Sequence, residues 1–245
     1  MEIFTQQGLA FLARWAHFLA GITWIGILYY FNFVQVPAFA EMEAGARSEA
    51  LRKITWRALW WFRWGAVLTV ASGLTILGFN EQFDADYLSS VAGTSILTGS
   101  ALGIIMFANV WGVIWPAQKI AIGSAVTVAG GGQADPRAGA AGRRGLVASR
   151  TNTLFSISLL FFMAFTSHLA GAAHFSADPE SGRLVTWWVV FGVIAAAIEL
   201  NALGVFGGLG PRINTRPLDS IRNVLISGFV LIAVLYGLFE VLFKA

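Results

Sequence analysis

A chain of 245 residues that is 57% apolar and only 12% charged has too little charge to cover a soluble surface, and its mean hydropathy of +0.69 makes lipid its main solvent. Ten Trp, twenty Phe and 27 Gly agree, because membrane helices favour aromatic residues at their edges and Gly at their contacts. The absence of Cys excludes disulfides, thiolate metal sites and Cys-ligated clusters, and the net charge of +3 resides in loops between apolar runs, where it reports topology and implies no nucleic-acid partner.

Six runs are long enough to cross a bilayer as helices: residues 9–35, 58–79, 95–115, 153–174, 185–206 and 220–242. None alternates with period two, so a barrel is not expected. The predicted fold class is all-α, a polytopic membrane helix bundle formed by one domain over residues 1–245. The first run is too long for a cleavable signal peptide. Pro37 is expected to end it, and the Ala-, Glu- and Arg-rich stretch from Glu41 to Trp56 predicts a short amphipathic helix on the membrane surface. The third connection, Gln118 to Ser149, contains Gly130, Gly131, Gly132, Asp135 and Pro136 and predicts a flexible hairpin, with Ser149 or Thr151 capping the fourth span. Twelve of the sixteen Lys and Arg fall in the first, third and fifth connections, whereas the second carries only Glu81, Asp84 and Asp86. Positive charge stays inside, so both termini are expected to be periplasmic in a bacterial inner membrane. Trp56, Trp60, Trp61, Trp111 and Trp115 form the inner aromatic belt, and Trp15, Trp187 and Trp188 the outer one.

Ionisable groups within the spans are functional candidates by default, because each costs several kcal/mol in hydrocarbon unless it is paired or lines a cavity. His17 lies about 12 Å below the outer edge on the first helix and His168 about 9 Å below it on the fourth, at 1.5 Å per residue. Arg14, Gly21 and Trp24 share a face with His17, and Gly171 lies one turn from His168. Two imidazoles at similar depth, each beside small residues, point to a bis-His b-type haem. The alternative is that each ring bonds across a helix contact and the Gly residues serve packing. His174 lies about 120° off the His168 face, which argues against a three-His metal centre; it is either a proton carrier at the outer mouth, a partner with Arg14 for a haem propionate, or a solvated edge residue.

Arg63 and Glu199 lie at similar depth near the inner edge and are expected to pair, either structurally or on a proton or substrate path. Asn109, Trp111, Gln118, Arg150 and Asn152 could meet Arg63 in an inner pocket for a planar anionic ligand; the alternative is interfacial anchoring and helix capping. Gly99 and Gly103 make a small-xxx-small contact element.

Three ordered blocks carry a resemblance. They are Arg14-Trp15-Ala16-His17 with Gly21, Trp24 and Gly26; Asn109-Val110-Trp111 with Trp115-Pro116 and Gln118-Lys119; and Ser149-Arg150-Thr151-Asn152-Thr153 with Phe162-Met163 and Ser167-His168. Together they resemble the bacterial membrane urate hydroxylase family, the PuuD-type urate oxidase N-terminal membrane domain. The first block also looks like the bacterial membrane protoporphyrinogen oxidases. The resemblance implies a membrane domain that oxidises urate to 5-hydroxyisourate and delivers electrons to a periplasmic cytochrome c. The family carries that cytochrome at its C-terminus; this chain has no CxxCH motif and ends after its sixth span, so the acceptor is expected to be a separate protein. The resulting expectation is a haem redox protein acting on a small urate-like molecule, with His17 and His168 as axial ligands and Asn109, Arg150 and Asn152 at the substrate. Its rivals are an accessory subunit of a respiratory or photosynthetic electron-transfer complex and a protoporphyrinogen oxidase-like enzyme.

Overall fold

The computed structural model describes residues 1–172, 174–175 and 179–245. It is all-α, and six helical rods among these residues are long and apolar enough to cross a membrane: Gln6–Glu41, Ala44–Phe79, Val91–Ala129, Ala138–His168, Ser181–Ala202 and Ile221–Phe243. The rods alternate in direction, so one end of the bundle carries both chain termini. That end is called the terminal end here, and the opposite one the loop end.

The first rod joins α1 (Gln6–Tyr29) to α2 (Val36–Glu41) through a π-helical segment, Tyr30–Gln35. Pro37 therefore does not end the span: it sits in the first turn of α2, where an N–H is not required, and the helix runs on. In the second rod, α3 (Ala44–Ala50) continues through the π-helical Leu51–Thr55 into α4 (Trp56–Phe79). The expected surface helix is thus the start of the second span. After the short α5 (Ala85–Ser89), α6 (Val91–Asn109) passes through a third π-helical segment, Val110–Ile114, into α7 (Trp115–Ala129).

The third connection is far shorter than its composition implied. Helix α7 runs to Ala129 and only eight residues separate it from α8 (Ala138–His168). Gly131, at φ 85°, supplies the left-handed residue that lets the Gly132 amide reach back to the Thr127 carbonyl at 2.9 Å, closing α7. The Asp135 amide then donates to Ser124 Oγ at 2.9 Å, which ties the turn down. Ser149 and Thr151 consequently lie in the middle of α8, not at its cap.

Helix α8 is the axis of the bundle. Thr151, Asn152, Thr153, Ser156 and Ser158 are fully buried about its middle. Around it pack α6, α7, α10 (Ile221–Phe243) and, more loosely, α1 and α9 (Ser181–Ala202). Trp187 anchors α9: its indole is fully buried among Phe162, Phe191, Phe239 and Phe243, and Nε1 donates to Thr98 Oγ1 at 3.1 Å. Gly99 and Gly103 serve contact within the chain, facing Met163 and Leu159 of α8. Large apolar side chains such as Phe18, Ile22, Leu68, Val193 and Phe229 point outward, as a surface solvated by acyl chains requires.

Candidate functional site

Helices α1 and α4 form one tightly packed antiparallel pair and α6 and α8 another. Gly65 makes the first pair possible, since a Cβ there would lie 3.3 Å from the Trp24 amide nitrogen. Towards the loop end the pairs are joined by Tyr29 Oη to Ser156 Oγ at 2.9 Å and by Asn32 Nδ2 to Ser149 Oγ at 2.8 Å. Towards the terminal end they part around an apolar cavity of about 570 Å³, within the range of cofactor pockets. His17, Gly21 and Trp24 of α1 line one side with Thr69 and Gly73 of α4; Ser100, Gly103, Leu159 and Met163 line the other.

His17 is held by α4. Its Nδ1 lies 3.1 Å from Ser72 Oγ, and Ser72 Oγ has a single hydrogen, which goes to the Leu68 carbonyl at 2.5 Å. With that hydrogen on a backbone carbonyl, Ser72 Oγ is an acceptor for Nδ1–H, the arrangement that leaves the lone pair on Nε2. This is the tautomer of a His that binds metal through Nε2, with a neighbouring acceptor fixing the ring. Gly73 makes room: a Cβ there would stand 3.2 Å from His17 Cε1. Gly21 faces open space, and the buried Trp24 Nε1 has no hydrogen-bond partner.

A b-type haem fits this set in three respects. The volume suffices, the walls are apolar and Gly-lined beside an imidazole of the correct tautomer, and a buried N–H lacks an acceptor. His168 does not line the cavity: it is the last residue of α8 and exposed. The two His are near one level, because His17 is about 18 Å along α1 from Tyr29 and His168 about 18 Å along α8 from Ser156, the residue that Tyr29 bonds. Their faces differ. His168 lies five residues beyond Met163, about 140° round the helix from the cavity wall. Arg14 and Gly171 are exposed and stand outside the lining as well. His174 pairs through Nε2 with Glu240 at 2.8 Å, and its carbonyl receives the Ala245 amide, so it fastens the C-terminal residue.

The polar residues expected in one inner pocket are divided among four places at the loop end. Asn109 Nδ2 donates to Asn152 Oδ1 at 3.0 Å and to Glu199 Oε2 at 2.9 Å, and Asn152 Nδ2 donates to the Met106 carbonyl at 2.9 Å. Arg63 lies on another side of α6, its guanidinium 3.5 Å from the Trp115 ring and 5.3 Å from Trp111. The expected Arg63–Glu199 pair is absent among the described residues. The reason is rotational: Asn109 and Trp111 are two residues apart, about 200° round the helix, so their partners approach α6 from opposite sides. Arg150 is turned towards the short helical turn that precedes α10 and donates to the carbonyls of Leu218 and Asp219, both at 2.8 Å. Gln118 packs on Gly145 of α8.

Ser72 and Gly73 were not singled out by sequence reasoning, and Met163 entered only as part of the third resemblance block, with no role attached. Adjacent small residues, Ala71-Ser72-Gly73, in the middle of an apolar span were the available signal for the first two; nothing in the spacing marks Met163.

A comparison with protein families matches residues 79–201 to the urate oxidase N-terminal family. Comparisons with curated proteins and with solved structures gave no match. The matched stretch is half of the chain and carries Asn109, Asn152 and Glu199, whereas His17 precedes it. The chain belongs to the urate oxidase N-terminal family.

Proposed function

We propose that this is a multi-pass redox protein of the bacterial inner membrane, with both termini periplasmic, that oxidises a small planar substrate of the urate class. A b-type haem held in the His17 cavity would supply the electron-transfer chemistry, with a cytochrome c at the terminal end as acceptor. The observation that carries this reading is the imidazole whose tautomer Ser72 sets, facing an apolar cavity of haem-compatible size. Family membership supports the substrate class, and the basic loop-end connections support the orientation.

Haem bound there supplies one-electron transfer. The chain's own residues would hold and orient it: His17 would offer Nε2, Ser72 would keep Nδ1 protonated, Gly73 seats the imidazole, Gly21 leaves open space beside it, and the surrounding Leu and Ile side chains would exclude water. Hydroxylation of urate by water releases two electrons and two protons. Glu199 is the proton acceptor of this reading, since Asn109 holds its Oε2 while Oε1 has no partner among the described residues. Asn152 fixes the Asn109 amide, so the carboxylate is presented in one orientation.

The test is urate oxidation by the detergent-purified protein with ferricytochrome c as acceptor. Two equivalents of cytochrome should be reduced per urate consumed, and Glu199→Gln should lower the rate about 100-fold, the scale of a lost general base. Absence of urate-dependent reduction, or reduction with protoporphyrinogen in its place, refutes the assignment.

A further inference from the structure

We infer that the second axial ligand to the haem is the thioether of Met163, opposite His17 across the cavity; this rests on the haem reading above. Of the side chains lining the cavity, His17 and Met163 carry the nitrogen and sulfur donors that haem iron accepts. The other polar liners named, Thr69 and Ser100, offer neutral hydroxyls, and Thr69 Oγ1 already donates to the Gly65 carbonyl at 2.7 Å.

The placement of Met163 is specific. Its Cε, Cγ and Sδ lie 3.1 to 3.4 Å from the position a Cβ at Gly99 would occupy, so the thioether rests on α6 where a side chain is missing. Four residues further along α6, Gly103 receives Leu159 in the same way at 3.4 Å. Leu159 and Met163 lie one turn apart on α8 and share the cavity face. The small-xxx-small element thus seats the wall that carries the sulfur.

Depth agrees. Carried from Tyr29–Ser156 the helix register brings His17 level with His168, and from Asn32–Ser149 with Ala164. Met163 is within about one turn of that level and faces the cavity, whereas His168 faces away. Each helix pair then contributes one ligand: α1/α4 the imidazole, α6/α8 the thioether. A thioether opposite an imidazole raises the reduction potential relative to two imidazoles, which suits a haem that must accept electrons from an organic substrate.

Full-length protein, purified in detergent, is examined by ferric optical and electron paramagnetic resonance spectra and by redox titration. Wild type should be low-spin with the near-infrared sulfur-to-iron charge-transfer band. Met163→Leu, close in volume, should retain haem, lose that band, become mainly high-spin and fall in potential. Met163→His should remain low-spin without the band, and His168→Ala should match wild type. Haem retained with an unchanged Met163→Leu spectrum overturns the Met163 assignment alone, as does loss of the low-spin signal in His168→Ala. A wild-type protein that binds no haem overturns the haem reading together with it.

Discussion

Truncation of the buried amide pair gives a quantitative test of the loop-end packing. Asn152 is fully buried, donates to the Met106 carbonyl at 2.9 Å and accepts from Asn109 at 3.0 Å. Asn152→Ala removes both bonds and strands neither partner, because the Met106 carbonyl keeps the Val110 amide and Asn109 keeps Glu199. Two net hydrogen bonds are worth about 0.5–1.5 kcal/mol each, and the small void adds roughly 1 kcal/mol. The sum of about 2–4 kcal/mol lowers Tm by roughly 4–16 °C at the 2–4 °C per kcal/mol of a chain this size. Asn109→Ala should cost more, since it leaves the Asn152 Oδ1 and the Glu199 carboxylate without their shared donor. Thermal unfolding in detergent, followed by the loss of the monodisperse peak on size exclusion, measures both. The double variant should fall well short of additivity, as expected for neighbours in one network. An Asn152→Ala variant within 1 °C of wild type, or strictly additive losses, would refute the network drawn here.

Trp187→Ala should destabilise by about 3–5 kcal/mol, the range for deleting a buried Trp, and should expose α9 to limited proteolysis before the rest of the bundle. Gly73→Val should push the His17 ring off its 3.2 Å seat and lower haem content while the helical circular dichroism stays unchanged; equal haem content contradicts the tight seat. Arg137 donates to the Asp135 carboxylate from its guanidinium and its backbone amide, which holds that carboxyl below the ordinary aspartate range. A depressed folded-state pKa means that the stabilisation of the α7–α8 turn is present at neutral pH and disappears as pH falls through that lowered value. Proteolysis at Gly130–Gly132 should therefore increase as pH falls below the ordinary aspartate range, and Arg137→Ala should move the onset to higher pH.

The spans were legible because about twenty apolar residues per crossing is a property of composition. Helix continuity past Pro37 and through Gln118–Ala129 was not, because hydropathy cannot distinguish a polar helix that projects from the bilayer from a loop. Ser149 to Thr153 read as a helix start for the same reason: polar residues normally mark an end, but here Ser149 and Asn152 are met by Asn32 and Asn109 of neighbouring helices, and Thr151 and Thr153 bond back to carbonyls of α8 itself. Depth follows from counting residues, so His17 and His168 were placed near one level. Rotation about the helix axis does not follow from counting, and it decides that Met163 lines the cavity, that His168 is exposed, and that Arg63 meets Trp115 instead of Glu199.

The claim on which the functional reading turns is that His17 holds a haem between the two helix pairs. The pyridine haemochrome of the detergent-purified protein, wild type beside His17→Ala, measures it directly. One haem b per chain in the wild type and none in a still-folded His17→Ala variant is the expected result. A colourless wild type, or equal haem in both, contradicts it.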